Sequence, residues 1–186
     1  MTNFLKVFDK TKLRIGPYRL SYAHLLKPYA GPQGEAGKYQ ANILIPKADT
    51  KTVEAINAAV EAAIAEGIVS KWKGQRPKKI DTPLHDGNDK EDPLYENHYY
   101  INAKSTMKPQ IVDRKKEIIA DEEEVYSGMW AVTTINFYPY EVSGNKGVAC
   151  ALNCVLKYKD DARLGGGSSA EEDFADITLE DDDDDL

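Results

Sequence analysis

The sequence predicts a mainly β fold, a small barrel or sandwich of about five strands carrying one main helix. Three observations predict it. Several stretches alternate polar and apolar residues, or are rich in aromatic and β-branched residues, as half-buried strands do. One stretch alone, Asp49 to Glu66, changes to helical spacing. Turn residues, including Gly16-Pro17 and Ser143-Gly144-Asn145, punctuate the chain at the intervals that short strands require.

The elements follow in order. Leu13 to Leu26 reads as a strand interrupted at Gly16-Pro17, and Tyr29 to Gly37 as a Gly/Pro loop. Lys38 to Ile45 alternates ahead of Pro46. In the helix, Val53, Ile56, Val60 and Ile64 form an apolar stripe expected to face the core. Asp49 or Thr50 can cap its start, and Gly67 is expected to end it in the left-handed conformation. Ile68 to Lys79 is basic around Trp72, and Asp81 to Pro93 is a polar loop. Tyr99 to Thr106 is a strand that Met107 to Val112 continues beyond Pro109, and Asp113 to Glu124 is a charged connector. Trp130 to Tyr138 and Gly147 to Tyr158 are strands joined by Ser143-Gly144-Asn145. Residues 1–164 are thus expected to form one folded domain, 165–170 a Gly/Ser linker and 171–186 a tail. A partly open five-stranded Greek-key barrel, the OB fold, belongs to this class, but pattern alone does not choose it.

Charge is divided unevenly. The net charge is −7, yet ten of the 31 acidic residues lie between Glu171 and Leu186, where there is no Lys or Arg. The remaining 21 acids face 24 bases, so the body carries +3 and the tail −10. No apolar run approaches the roughly 20 residues of a membrane span, and Met1 to Lys10 lacks a signal-peptide core. A soluble, intracellular protein without membrane partners is expected. Cys150 and Cys154 read as free thiols, placed by their spacing on one face of a strand as small core residues.

A basic body with 11 Tyr against four Phe suits a polyanion that exposes flat rings. Lysine and arginine neutralise phosphates, and a tyrosine presents a stacking face while its hydroxyl stays wet. The candidate nucleic-acid contacts are Lys38 with Tyr39; Lys71, Trp72, Lys73 and Arg76; Tyr100, Lys104 and Lys108; and Tyr138 with Tyr140. Alternation puts Tyr99, Ile101 and Ala103 on the core face of their strand, and Tyr100, Asn102 and Lys104 on the outer one. Taken singly, a strand tyrosine is more often a packing residue and a lysine a solubilising one. The grouping is what points to a ligand.

Catalytic patterns are weak. His24, His85 and His98 lack metal-ligand spacing, and Cys150 and Cys154 form no CxxC pair. No phosphate-binding glycine loop precedes a helix, and Ser105 and Ser127 have no evident base. No catalytic residue, metal or cofactor is therefore expected. Two other classes stay open: a self-assembling structural β-domain, and a metal-dependent DNA-processing enzyme using carboxylates such as Asp113, Asp121 and Glu122 to Glu124.

The tail ends in Asp181, Asp182, Asp183, Asp184, Asp185 and Leu186, an acidic run closed by one apolar residue. It is too charged to fold alone and is expected to be disordered. A basic-rimmed apolar pocket on a partner can capture the terminal side chain and its carboxylate.

The chain resembles the single-stranded-DNA-binding proteins of tailed bacteriophages. The resemblance is carried by Tyr99-Tyr100-Ile101-Asn102-Ala103-Lys104, Pro109-Gln110-Ile111-Val112-Asp113, Tyr126-Ser127-Gly128-Met129-Trp130 and Asn136-Phe137-Tyr138-Pro139-Tyr140. It continues through Lys146-Gly147-Val148, Leu152-Asn153 and Asp160-Asp161-Ala162-Arg163-Leu164-Gly165-Gly166. It implies an OB-fold Greek-key barrel, sequence-independent binding of single strands, and a role in phage replication and recombination in the host-cell cytoplasm. The partners expected are single-stranded DNA and replication proteins recruited by the tail, and a homodimer stays open. Such tails usually end in Phe, where this one has Leu186, and a tight-turn glycine is expected where this chain has Asp161.

Overall fold

A computed structural model describes residues 2–30, 37–165 and 170–178. Its strands are β1 (Lys6–Val7), β2 (Lys12–Tyr29), β3 (Lys38–Pro46), β4 (Leu84–Asp86), β5 (His98–Ser105), β6 (Gln110–Val112), β7 (Trp130–Val142) and β8 (Asn145–Lys159). The helices are α1 (Thr50–Ser70) and a single turn, α2 (Ala170–Asp173). Five long strands pair in the order β5-β3-β2-β7-β8, and a parallel contact of Lys104 with Ala151 joins β8 back to β5. Numbered along the chain the ring reads 3-2-1-4-5, the Greek-key closure of an OB barrel. The main helix lies between the second and third barrel strands, as its spacing implied.

Alternating residues fill the barrel: Leu13, Ile15 and Leu20 from β2, Ile43 and Ile45 from β3, Ile101 from β5, and Ile135 and Phe137 from β7 are all buried. Helix α1 adds Ile56, Ala59, Val60, Ala63 and Ile64 to the same core. Its start is fixed by Asp49. One carboxylate oxygen accepts from the Thr52 backbone N–H at 3.3 Å, the other from the Thr52 hydroxyl at 3.0 Å and from the Tyr18 hydroxyl of β2. Burial, and then the Asp49 carboxylate, push the Tyr18 hydroxyl far above its ordinary pKa, so the hydroxyl remains a donor.

Gly67 does not end the helix, which runs on to Ser70. A Cβ at position 67 would stand 2.7 Å from the Trp72 ring and 2.8 Å from Pro139. The residue is glycine because Trp72 and Pro139 pack onto the helix there. Residues 110–112 do not continue β5; they form a separate strand parallel to β8, with Ile111 opposite Val155.

The two cysteines part company. Ile135 pairs with Leu152 but Thr134 pairs with Cys154, so β8 carries one extra residue, Asn153. This bulge reverses the alternation. Cys150 is buried, and burial pushes its thiol pKa up, whereas Cys154 is exposed. The expectation that both are core residues holds for Cys150 alone.

After β8 the chain packs against the segment that leads into β7. The Trp130 indole donates to Asp161 Oδ2 at 2.8 Å, the Tyr126 hydroxyl donates to Asp160 Oδ1 at 2.7 Å, and the Leu164 N–H donates to the Ser127 carbonyl at 2.9 Å. Asp161 Oδ1 also accepts from the Ala162 N–H at 2.7 Å, so a side-chain cap does what a tight-turn glycine would do. The Asp160 carboxyl is held below its ordinary pKa mainly by Lys157, then Tyr126; Asp161 mainly by Trp130, then the Ala162 N–H. A depressed folded-state pKa means that the contribution to stability is present above the unfolded value, about 3.9, and is lost as pH falls through the folded one. Trp130 fluorescence is therefore expected to change in an acid titration below about pH 4, before global unfolding, and Asp161→Asn should remove that early phase.

Part of the tail expected to be disordered is helical: α2 forms one turn, and Phe174 and Ile177 beyond it are 60% and 53% exposed. Gly166 to Ser169 of the linker and Asp181 to Leu186 lie outside the described residues. Among the described residues, no helix is long and apolar enough to cross a membrane.

Candidate nucleic-acid interface

The outer face of β5 is built by register. Tyr100 stands between Leu44 of β3 and His85 of β4, Asn102 is opposite Asn42, and Lys104 is opposite Gln40. The β7–β8 hairpin supplies a facing wall. Its alternation buries Ile135, Phe137 and Pro139 and turns Tyr138 and Tyr140 outward. Between them lies an open groove of about 510 Å³, lined by Lys38, His85, Asn102, Lys104, Tyr138 and Tyr140 among others.

Tyr138 is 40% exposed, so a ring face is available. Tyr140 is more fixed. A Cβ on Gly147 would lie 2.7 Å from its hydroxyl oxygen and 2.6 Å from the Asp81 carbonyl. Burial, then the neighbouring Asp81 carboxylate, raise the Tyr140 hydroxyl pKa. Gly147→Ala must displace Tyr140 or the Asp81 backbone, which itself bonds to Val148 N–H at 2.8 Å. The expected cost is about 1–3 kcal/mol of stability, to be read from urea unfolding.

Tyr100 is braced beside the groove. Its ring centroid is 5.2 Å from that of His85, tilted by 32°, and 5.2 Å from that of Tyr95, edge-on. The ammonium of Lys90 lies 5.2 Å from the Tyr100 ring and 5.4 Å from each of Tyr95 and Tyr22. Tyr95 is buried, and its hydroxyl accepts from the Asn42 amide at 2.9 Å. The amide oxygens of Asn42 and Asn102 are buried and have no hydrogen-bond partner among the described residues. The surface therefore offers cations for phosphates and aromatic faces for bases.

The family described as the Enterobacter phage Enc34 ssDNA-binding protein matches residues 11–186. This chain belongs to that family. Another relative, protein p50 of Acyrthosiphon pisum secondary endosymbiont phage 1, is 33% identical over 179 residues, covering 90% of this chain and 95% of its own. The Enc34 protein solved in complex with ssDNA superposes with a TM-score of 0.73 at 26% identity, over 83% of this chain and 90% of the other. Bacteriophage T7 gp2.5, a single-stranded DNA binding protein, shares the fold, with a TM-score of 0.60 at 18% identity over 93% and 97% of the two chains.

Within this family member, the sequence-predicted residues separate into two groups. Lys38, Lys104, Tyr138 and Tyr140 line one groove, and Tyr100 adjoins it through His85. The others stand apart. Trp72 is 2% exposed, packed under Gly67 and Pro139, with its indole donating to the Tyr140 carbonyl at 3.4 Å. It cannot stack on a base; its basic neighbours masked an anchor that fastens the post-helix loop to β7. Arg76 is engaged by Glu61 of α1 at 3.2 Å. Lys71, Lys73 and Lys108 are exposed but do not line the groove. Tyr39 is half-buried and takes the same side of β3 as Ala41 and Ile43, opposite to Lys38. Sequence reasoning missed His85, Lys90 and Asn42. The elements of His85 and Lys90 give little pattern, since β4 has three residues and Lys90 ends a 3-10 turn, whereas Asn42 lies within the regular β3 and is buried beside Tyr95.

Among the described residues no group of three or more His, Cys, Asp or Glu side chains comes together as a metal site.

Proposed function

We propose that this chain binds single-stranded DNA without regard to sequence, in phage replication and recombination in the host-cell cytoplasm. The observation that supports it best is the convergence of Lys38, Lys104, Tyr138 and Tyr140, from three strands distant in sequence, on one open groove. Lys38 and Lys104 take phosphates, while the Tyr138 ring and the braced Tyr100 ring receive base faces. Stacking accepts any base, which gives affinity without a sequence code. A duplex hides its base faces and loses this contribution. The Enc34 relative in complex with ssDNA supports the same reading.

The acidic segment 171–186 acts as a tethered competitor for the groove and, once DNA displaces it, as a hook for replication proteins through Asp181 to Asp185 and Leu186. The charges of −10 and +3 supply the attraction, and the linker makes the encounter intramolecular. The exposed Phe174 and Ile177 add apolar contact points within the same segment.

Mobility shifts test both parts, using single-stranded and duplex oligonucleotides of unrelated sequence with the intact chain and with a chain truncated after Ser169. Single strands are expected to bind tightly and duplex weakly, with affinity falling as salt rises. Truncation is expected to tighten DNA binding most at low salt, since the Debye length is about 30 Å at 0.01 M and about 8 Å near physiological ionic strength. Deleting Leu186 alone should weaken partner binding while leaving DNA affinity near that of the intact chain. Equal affinity for duplex and single strand would overturn the binding reading. Equal low-salt affinity of intact and truncated chains would overturn the competition.

A further inference from the structure

The chain has five arginines, and three are paired with carboxylates: Arg19 with Asp161 at 3.7 Å, Arg76 with Glu61 at 3.2 Å and Arg163 with Glu123 at 3.3 Å. Among the described residues Arg14 and Arg114 have no such partner. These two line a single pocket of about 380 Å³ with Phe4, Val132, Leu156 and Tyr158. Among the described residues, none that lines it is acidic. Each guanidinium is oriented through its Nε: Arg14 donates to the Phe4 carbonyl at 2.8 Å and Arg114 to the Tyr158 carbonyl at 2.6 Å. Arg114 also lies 4.3 Å over the Tyr158 ring. The terminal nitrogens are left to recognise an anion. Two oriented guanidinium groups beside aromatic and aliphatic walls fit a phosphodiester whose base rests on the apolar side.

Strand β7 contributes to both the pocket and the groove. Tyr138, Asn136, Thr134 and Val132 share one side of β7, running from the groove to the pocket, a span of about 20 Å for six residues at about 3.3 Å each; Tyr138 is exposed, Asn136 and Thr134 are half-buried, and Val132 is buried at the pocket floor. On β8 the neighbouring outward positions are Ala149, Ala151, Cys154 and Leu156, opposite Tyr138, Asn136, Thr134 and Val132 respectively. Neither row contains an acid, and the β8 row is made of small or apolar residues. On the other flank β2 sets Lys12 opposite Asn136 and Arg14 opposite Thr134. We propose that a bound single strand leaves the groove, crosses the outward face of β7 and β8, and is held again by phosphate contacts at Lys12, Arg14 and Arg114. This rests on the single-strand reading of the groove and adds a second anchor to it.

Cys154 is a built-in reporter. It is exposed at the middle of the track, opposite Thr134, while Cys150 is buried. Maleimide alkylation of the native, full-length chain thus reads one position. It is measured with bound oligo-dT of increasing length, and affinity is determined separately at each length. Short oligonucleotides are expected to bind without changing the Cys154 rate, and longer ones to slow it at least about fivefold, as a bound strand excludes the reagent. The double substitution Arg14→Gln and Arg114→Gln should restore the rate with long DNA and leave short-DNA affinity unchanged. It should also reduce the slope of log K against log salt by about 1.4 for the two lost phosphate contacts. Arg114→Gln alone, at an exposed position, should give about half that change in slope and serves if the double variant does not fold. Unaltered alkylation with long DNA demonstrably bound would overturn the second anchor. Failure of even short DNA to bind would instead reject the groove reading. If truncation after Ser169 accelerates alkylation without DNA and the arginine substitutions do the same, the pocket holds the acidic segment of the chain, and the strand path is wrong.

Discussion

Tyr138→Ala is expected to weaken single-strand binding by about 1–3 kcal/mol, and combining it with Tyr100→Ala to cost about 2–6 kcal/mol. Tyr138 is 40% exposed on the groove wall, so its loss removes a base platform and little packing. The stability of the single variant should stay within about 0.5 kcal/mol of the parent. Tyr100 differs because it touches Tyr95 and His85, so its truncation also loosens the outer layer of β5. Tyr100→Phe is the control: it keeps the ring and should keep most of the affinity. The two platforms adjoin one groove, so their effects need not add, and the double variant must be measured directly. Titration with a labelled oligonucleotide, with thermal unfolding run beside it, separates the outcomes. A double variant that binds as the parent does would mean that the bases lie elsewhere.

The barrel was legible because it depends on alternation, which sequence displays directly. Ile101 and Ala103 point inward while Tyr100, Asn102 and Lys104 point outward, as period-two reading requires. The helix was equally plain in its stripe and its Asp49 cap. What failed was whatever depends on a distant contact. Gly67 resembles a helix stop, and only the arrival of Trp72 and Pro139 shows why it sits inside the helix. Cys154 follows Cys150 by four residues, and only the pairing with β7 reveals the bulge that turns it outward. The groove was half legible. Its lysines and tyrosines carry their chemistry in their side chains. His85 and Lys90 sit in segments too short or irregular to show a face, so only the β4–β5 register and the turn that follows β4 bring them beside Tyr100. Proximity in sequence was misleading for Trp72: Lys71 and Lys73 flank it along the chain, but its ring is turned into the protein.

Trp72→Ala is expected to destabilise the protein by about 3–5 kcal/mol, a large share of the stability of a typical domain. The ring fills the space between Gly67 of α1 and Pro139 of β7, and its indole N–H donates to the Tyr140 carbonyl at 3.4 Å. Alanine leaves a cavity at the junction of helix and barrel, and leaves that carbonyl short of a donor. Because Gly67 offers no side chain to collapse into the void, relaxation should recover little. Trp72→Phe keeps an aromatic filler but loses the donor and part of the volume, so its cost should be smaller. If Trp72 were a stacking platform, the pattern would invert: alanine would lower DNA affinity and leave the urea midpoint in place. The buried geometry predicts a large fall in that midpoint, with near-parental affinity in the fraction that remains folded, apart from any displacement of Tyr140. Urea unfolding and oligonucleotide titration on the alanine and phenylalanine variants decide between the two, since only one of them couples position 72 to folding rather than to DNA.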